Sequence, residues 1–168
     1  MLNKKIENAF NNQINKEVYS SYLYQALSAH SSYLGLDGIA NWFQIQVQEE
    51  ISHAQKIYNF INERGGKVKL KTIEEPPSEF ESVIVMFEET LKHEEFITKS
   101  INELMDLAIS EKDHASQIFL QWFVTEQVEE EDNVNTILND LKLISDSGNG
   151  LRMLDKELAT RVFTQPTE

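Results

Sequence analysis

Glu49-Glu50-Ile-Ser-His53 is answered 77 positions later by Glu126-Gln127-Val-Glu-Glu130, and this echo decides how the chain is read. Glu17 precedes Glu50 by 33 residues, and Glu94 precedes Gln127 by the same 33. The shift of 77 also carries Phe10 onto Phe87, Ile14 onto Leu91, Leu27 onto Leu104, Val47 onto Val124, Ile57 onto Val134 and Phe60 onto Ile137. Polar and apolar positions repeat together, so one pair of core-facing helices is used twice.

Residues seven apart on a helix share a face. Glu17 lies seven from Phe10 and Tyr24, Glu50 seven from Phe43 and Ile57, and Glu94 seven from Phe87 and Ile101. His53 stands seven before Phe60, and Glu130 seven before Ile137. Glu17, Glu50, Glu94 and Glu130 therefore converge on one interior. Burying an ionised carboxylate without a partner costs several kcal/mol, and hydrogen bonds alone do not offset four at once. The four sum to a charge that two divalent metals neutralise. Hard oxygen ligands with one imidazole suit iron or manganese, with zinc as a competitor. A lone Glu-x-x-His is a common accident on a helix; the 33-residue spacing repeated twice, with every member on the apolar face, is not.

Working outward, the six glycines and three prolines fall in clumps that divide the chain into periodic blocks. The first block runs from about Asn3 to Leu34 and stops at Gly35. The second starts behind Asp37 as N-cap and stops at Gly65-Gly66. Pro77 and a capping box at Ser78-Glu79-Phe80-Glu81 open the third, which runs to about Glu111. The fourth spans Asp113 to about Leu143. After a turn-rich break at 145–150, Leu151, Leu154, Leu158 and Val162 mark a short amphipathic helix over about 150–162, and 164–168 form a polar tail. In the connection from Gly66 to Pro77, Lys67-Val-Lys-Leu-Lys-Thr-Ile73 alternates like a strand rather than repeating helically. A helix of about 27 residues is about 40 Å long, and 12 extended residues reach about that far, so this loop can travel the length of the bundle. Helices 2 and 3 are then parallel, and the predicted fold is an all-α four-helix bundle (about 3–144) with one long crossover and a short fifth helix, in a single domain over 1–168.

Composition narrows the function. There are 28 acidic against 15 basic residues, a formal net charge of -13, with no basic cluster, so nucleic acid is not an expected partner. No apolar run approaches the roughly 20 residues that span a bilayer, and Met1 to Phe10 has no apolar stretch flanked by a cleavage site. The chain reads as cytoplasmic. Zero cysteines remove disulfides, thiolate metal sites and cysteine nucleophiles.

With Glu17, Tyr24, Glu49-Glu50-x-x-His53, Glu94, Trp122 and Glu126-Gln127-x-x-Glu130 in place, the chain resembles a bacterial non-haem ferritin over its whole length. The ligand template is that of ferritin-like di-metal carboxylate proteins. The resemblance implies that Glu17, Glu50 and His53 hold one iron, that Glu50, Glu94 and Glu130 hold the second with Glu50 bridging, and that Gln127 beside the second orients dioxygen or a water. It implies a third iron site at Glu49, Glu126 and Glu129, sharing Glu130; read from the sequence alone, those three acids equally form a solvated face. Tyr24 is either a buried hydroxyl bonded to a ligand such as Glu94 or a one-electron donor. The family assembles 24 subunits into a hollow shell that stores oxidised iron, with ferrous iron and dioxygen or peroxide as reactants.

Departures from neighbouring families sharpen this reading. The second half carries Gln127-x-x-Glu130 where families with a stably held di-iron cofactor resemble a template with Glu-x-x-His twice. Residue 51 is Ile where bacterioferritins carry the haem-gripping Met, so haem is not expected. In animal ferritins an acidic pair lines a threefold channel at the places held here by Gln117 and Leu120, so iron entry by that route is not expected. The aromatic residues Trp42, Phe43, Phe119, Trp122 and Phe123 read as core, and His30, His93 and His114 as surface residues without a role. Two rivals stand beside ferroxidase and storage: a di-iron oxidase or peroxidase acting on another substrate, and a metal-free helical interaction module.

Overall fold

The periodic blocks become five helices in the computed structural model, which describes residues 2–145 and 147–165: α1 (Lys4–Tyr33), α2 (Asp37–Glu63), α3 (Val83–Ser110), α4 (His114–Ile144) and α5 (Gly148–Leu158). No strand forms among the described residues. Gly35 ends α1 with φ of 73°, a left-handed conformation that costs glycine little. The tight turn returns α2 antiparallel on α1, and α4 returns on α3 after Asp113, whose side chain caps α4 by accepting from Ser116 N. Residue 146 of the break and residues 166–168 of the tail lie outside the described residues.

The crossover is tied to α1 in rising register. Glu7 accepts from Lys67 N at 3.1 Å, Asn11 accepts from Lys69 N at 2.6 Å, and Asn15 Nδ2 donates to Thr72 O at 3.1 Å. The segment therefore climbs alongside α1 toward the end where α2 began, and α3 starts there, parallel to α2. It stays extended longer than the sequence predicts. The capping box at Ser78 does not form; α3 opens behind Ser82, which accepts from Val85 N at 3.3 Å. Residues 78–81 are consumed in completing the climb, with Phe80 set edge-on against His30 at 5.4 Å.

Helix α2 also begins differently. Asp37 is its first residue rather than its N-cap, and the N-cap, Leu36, offers no side-chain bond. The missing acceptor comes from α5: Asp155 Oδ1 accepts from Ile39 N at 2.9 Å. The two helices meet backbone to backbone at Gly38, where a Cβ would lie 1.6 Å from Asp155 O. Leu154 is buried and Leu151 and Leu158 pack on the core beneath, while Val162 stays exposed beyond the end of α5. The apolar stripe of the fifth helix is thus mostly spent within its own subunit.

Two hydrophobic clusters fill the bundle. One holds Ile6, Phe10, Ile14, Ile57, Ile61, Ile101, Leu104 and Phe123; the other holds Leu23, Tyr24, Leu27, Trp42, Phe43, Phe87, Val134 and Leu138. Along α1 the chain passes from Ile14 in the first to Leu23 in the second, and Glu17 and Ser20 lie between, both buried. The core is split by a polar layer.

Candidate metal centre

Each of the four bundle helices delivers its share of that layer from the point where its apolar face changes cluster. Glu17, Glu50, His53, Glu94, Gln127 and Glu130 are all buried, none more than 4% exposed. Ligand atoms of Glu17, Glu50 and His53 lie within 4.8 Å of one another, as do those of His53, Glu126 and Glu130. Glu94 belongs to neither trio. Its Oε1 accepts from the Tyr24 hydroxyl and its Oε2 from Gln127 Nε2 at 3.1 Å. Gln127 also reaches Thr98 Oγ1 at 3.2 Å.

Three buried polar atoms in the layer have no hydrogen-bond partner: Glu17 Oε2, Glu50 Oε2 and His53 Nε2. His53 Nδ1 stands 3.6 Å from Glu50, and Nε2 stands 3.7 Å from Glu126, both too long for hydrogen bonds. A buried polar atom left unpaired costs about 1–3 kcal/mol. Here three fall in one layer, and each becomes an electron-pair donor to a cation once its group is deprotonated.

Electrostatics point the same way. Burial pushes the Glu50 carboxyl well above the usual range, against the pull of His53. Burial raises Glu94 to about 7 despite the bonds from Tyr24 and Gln127, and burial with the Glu94 charge raises Glu130 to about 8. For His53 burial acts downward, and the carboxylates of Glu126, Glu50 and Glu17 outweigh it, holding the imidazole protonated well above its ordinary value. Burial and the Glu94 charge keep the Tyr24 phenol neutral. Without metal, the layer keeps its charge down by holding protons. A divalent cation displaces them and takes over the neutralisation.

The outer acids sit at the rim. Glu49, Glu126 and Glu129 line an open pocket of about 510 Å³ together with Trp122, Asn133 and Arg161. Glu49 and Glu126 are half-buried and Glu129 is exposed. Burial raises the Glu49 carboxyl, opposed by Arg161.

Several partners escaped the sequence reading. Gln13 Nε2 donates to Glu17 Oε1 at 2.8 Å, and Gln46 Nε2 donates to Glu130 Oε2 at 2.8 Å. The signal existed: Gln13 and Gln46 each stand four residues before a site glutamate, at the same 33-residue spacing. Behind Gln13, Ser100 Oγ donates to its carbonyl and Lys16 Nζ donates to Ser100. Two histidines are not surface residues. His30 is buried, and His93 is half-buried, bonded to Ser20 Oγ at 2.7 Å and lowered to about 4 by burial.

Comparisons with known proteins meet this geometry. A ferritin-like domain model matches residues 7–144. The bacterial non-heme ferritin of Escherichia coli O6:H1 is 41% identical over 160 residues, 95% of this chain and 97% of that protein. The bacterial non-heme ferritin of Staphylococcus aureus (strain MRSA252) is 38% identical over 165 residues, 98% of this chain and 99% of that protein. An engineered closed form of the Archaeoglobus fulgidus ferritin superimposes with a TM-score of 0.97 at 47% identity, covering 98% of this chain and 100% of the other. This chain belongs to the ferritin family.

Proposed function

We infer that this ferritin is an iron-storage protein with ferroxidase activity, and that the polar layer is where ferrous iron is oxidised. The carrying observation is the cluster of Glu17, Glu50 and His53 in mid-bundle, all buried, with ligand atoms within 4.8 Å of one another and with Glu17 Oε2, Glu50 Oε2 and His53 Nε2 unpartnered. Glu17, Glu50 and His53 hold the first iron; Glu50, Glu94 and Glu130 hold the second, with Glu50 common to both. Tyr24 and Gln127 both donate to Glu94 and fix it, and the Gln127 amide stands where it can orient an oxidant or a water beside the second iron. Iron enters as substrate: two ferrous ions each give one electron, reducing dioxygen with two protons to hydrogen peroxide, or hydrogen peroxide with two protons to two waters. Carboxylates favour the harder ferric ion and draw the reaction forward.

The ferric product leaves for storage, which requires a shell. A lone subunit exposes Tyr22, Ile51, Ile118 and Val128, each at least half accessible. A homo-oligomer covers them, of 24 subunits by family resemblance. No described helix is long and apolar enough to cross a membrane, and a cytoplasmic place fits a store of mobilised iron. Glu49, Glu126 and Glu129 with shared Glu130 form a third site at the rim.

Mass in solution and aerobic iron oxidation test this together. A particle of about 24 subunit masses of 19.4 kDa, oxidising iron faster than buffer does at two irons per subunit and retaining ferric product, is expected. A monomer that oxidises iron without retaining it defeats storage. For the third site, anaerobic titration should count three ions per subunit falling to two in Glu129→Ala; an unchanged count ends that part.

A further inference from the structure

Beyond the end of α5 the chain places a positive charge in the outer acidic rim. Asn41 Nδ2 donates to Leu158 O at 3.3 Å and to Arg161 O at 3.0 Å, fastening this segment to α2. From that anchor the Arg161 guanidinium lies over the Trp42 ring at 4.8 Å and forks. Nη1 donates to Gln46 Oε1 at 2.5 Å, and Nη2 donates to Glu49 Oε2 at 2.7 Å. Gln46 is fully buried, and its other end donates to Glu130 Oε2. Arg161 therefore touches one acid of the rim directly and reaches the acid shared with the inner site through a single amide.

We propose that Arg161 is a tethered cation that occupies Glu49 in place of a third metal ion, so that the outer ion binds only by displacing the guanidinium. The inference rests on the third-site reading above. A guanidinium stays charged at every working pH, and its anchored backbone makes it an intramolecular competitor at high effective concentration. A hydrogen bond to a charged partner contributes about 1.5–3 kcal/mol, equivalent to about tenfold or more in the affinity of a competing ion. The two inner ions meet no such competitor. The consequence is an order of filling: inner sites first, outer site last and weakly, so that an ion at the rim remains exchangeable.

Zinc titration of the assembled, metal-free full-length protein by calorimetry is the test. In Arg161→Gln the third zinc should bind about tenfold or more tightly, with the ion at Glu17, Glu50 and His53 unchanged; Arg161→Lys, which keeps the charge and loses the fork, should fall between. The gain should vanish in the Arg161→Gln, Glu49→Gln double variant. In a Trp122→Phe background, where Trp42 is the remaining tryptophan, the third zinc should change Trp42 emission, and Arg161→Gln should abolish that change. If Arg161 only fastens the chain end, Arg161→Gln leaves the third affinity unchanged or lowers it, and the proposal is overturned. Two tight ions in both proteins with a third in neither refutes the competition while leaving the inner site standing. Loss of tight binding altogether sinks both readings.

Discussion

The α1–α2 half and the α3–α4 half share a backbone pattern yet meet the cation differently. In the first half, Gln13 holds Glu17 Oε1, but Glu17 Oε2, Glu50 Oε2 and His53 Nε2 are left without partners. In the second, Glu94 is held by Tyr24 and Gln127, and Glu130 by Gln46. The first half keeps more of its buried ligand-type atoms unpaired. In the second, Tyr24 and Gln127 engage both oxygens of Glu94, and weaker, more exchangeable binding of an ion there is expected. The repeated frame differs at two places, an amide at Gln127 against the carboxylate of Glu50 and a carboxylate at Glu130 against the imidazole of His53.

Removing ligands from the first half should have the largest effect. Glu50→Ala or His53→Ala should slow the fast phase of iron oxidation at two irons per subunit by more than about a hundredfold, with helicity by circular dichroism unchanged. A fast phase that survives Glu50→Ala would place the chemistry elsewhere. Making the halves alike is the sharper test: the Gln127→Glu, Glu130→His double variant gives the second half the ligands of the first. Its second zinc should bind about tenfold more tightly, and recovery after one turnover should slow. Equal recovery would mean that the asymmetry does not govern release.

The metal-free layer also sets a pH dependence. Glu94 and Glu130 titrate at about 7 and about 8 when folded, above the ordinary carboxyl value of 4.5. A raised carboxyl gives stability that is present below the unfolded value and lost as pH rises through the folded one. The metal-free protein should therefore melt at progressively lower temperature from about pH 5 to about pH 8, and zinc should restore most at the upper end. At pH 7 zinc binding should release protons, and at pH 9 few, as read by calorimetry in buffers of different ionisation enthalpy. Constant proton release across that range would contradict the raised values. The smallest effect is expected behind the ligands: Gln13→Leu should weaken the first-half ion by about tenfold and Ser100→Ala by less, whereas neither should touch the second-half ion. A loss shared by both ions would show that the two halves are coupled rather than separately supported.

The sequence by itself determined the helices, the doubled pattern and the inward set of Glu17, Glu50, His53, Glu94, Gln127 and Glu130, because helical periodicity is local and a seven-residue spacing fixes a face regardless of what lies opposite. It also marked the crossover, since an extended segment of that length has few other uses. Only the tertiary structure decided partners across helices. Gln46 lies one turn before Glu50 but serves Glu130 of the other half; Asp155, from the far end of the chain, caps α2 at Ile39; and Arg161 reaches Glu49. It moved the start of α3 from Ser78 to Ser82 and buried His30 and His93. These outcomes depend on the rotation and separation of packed helices and on where a connection ends in space, which are set by the sum of all contacts and leave no mark at any fixed sequence spacing.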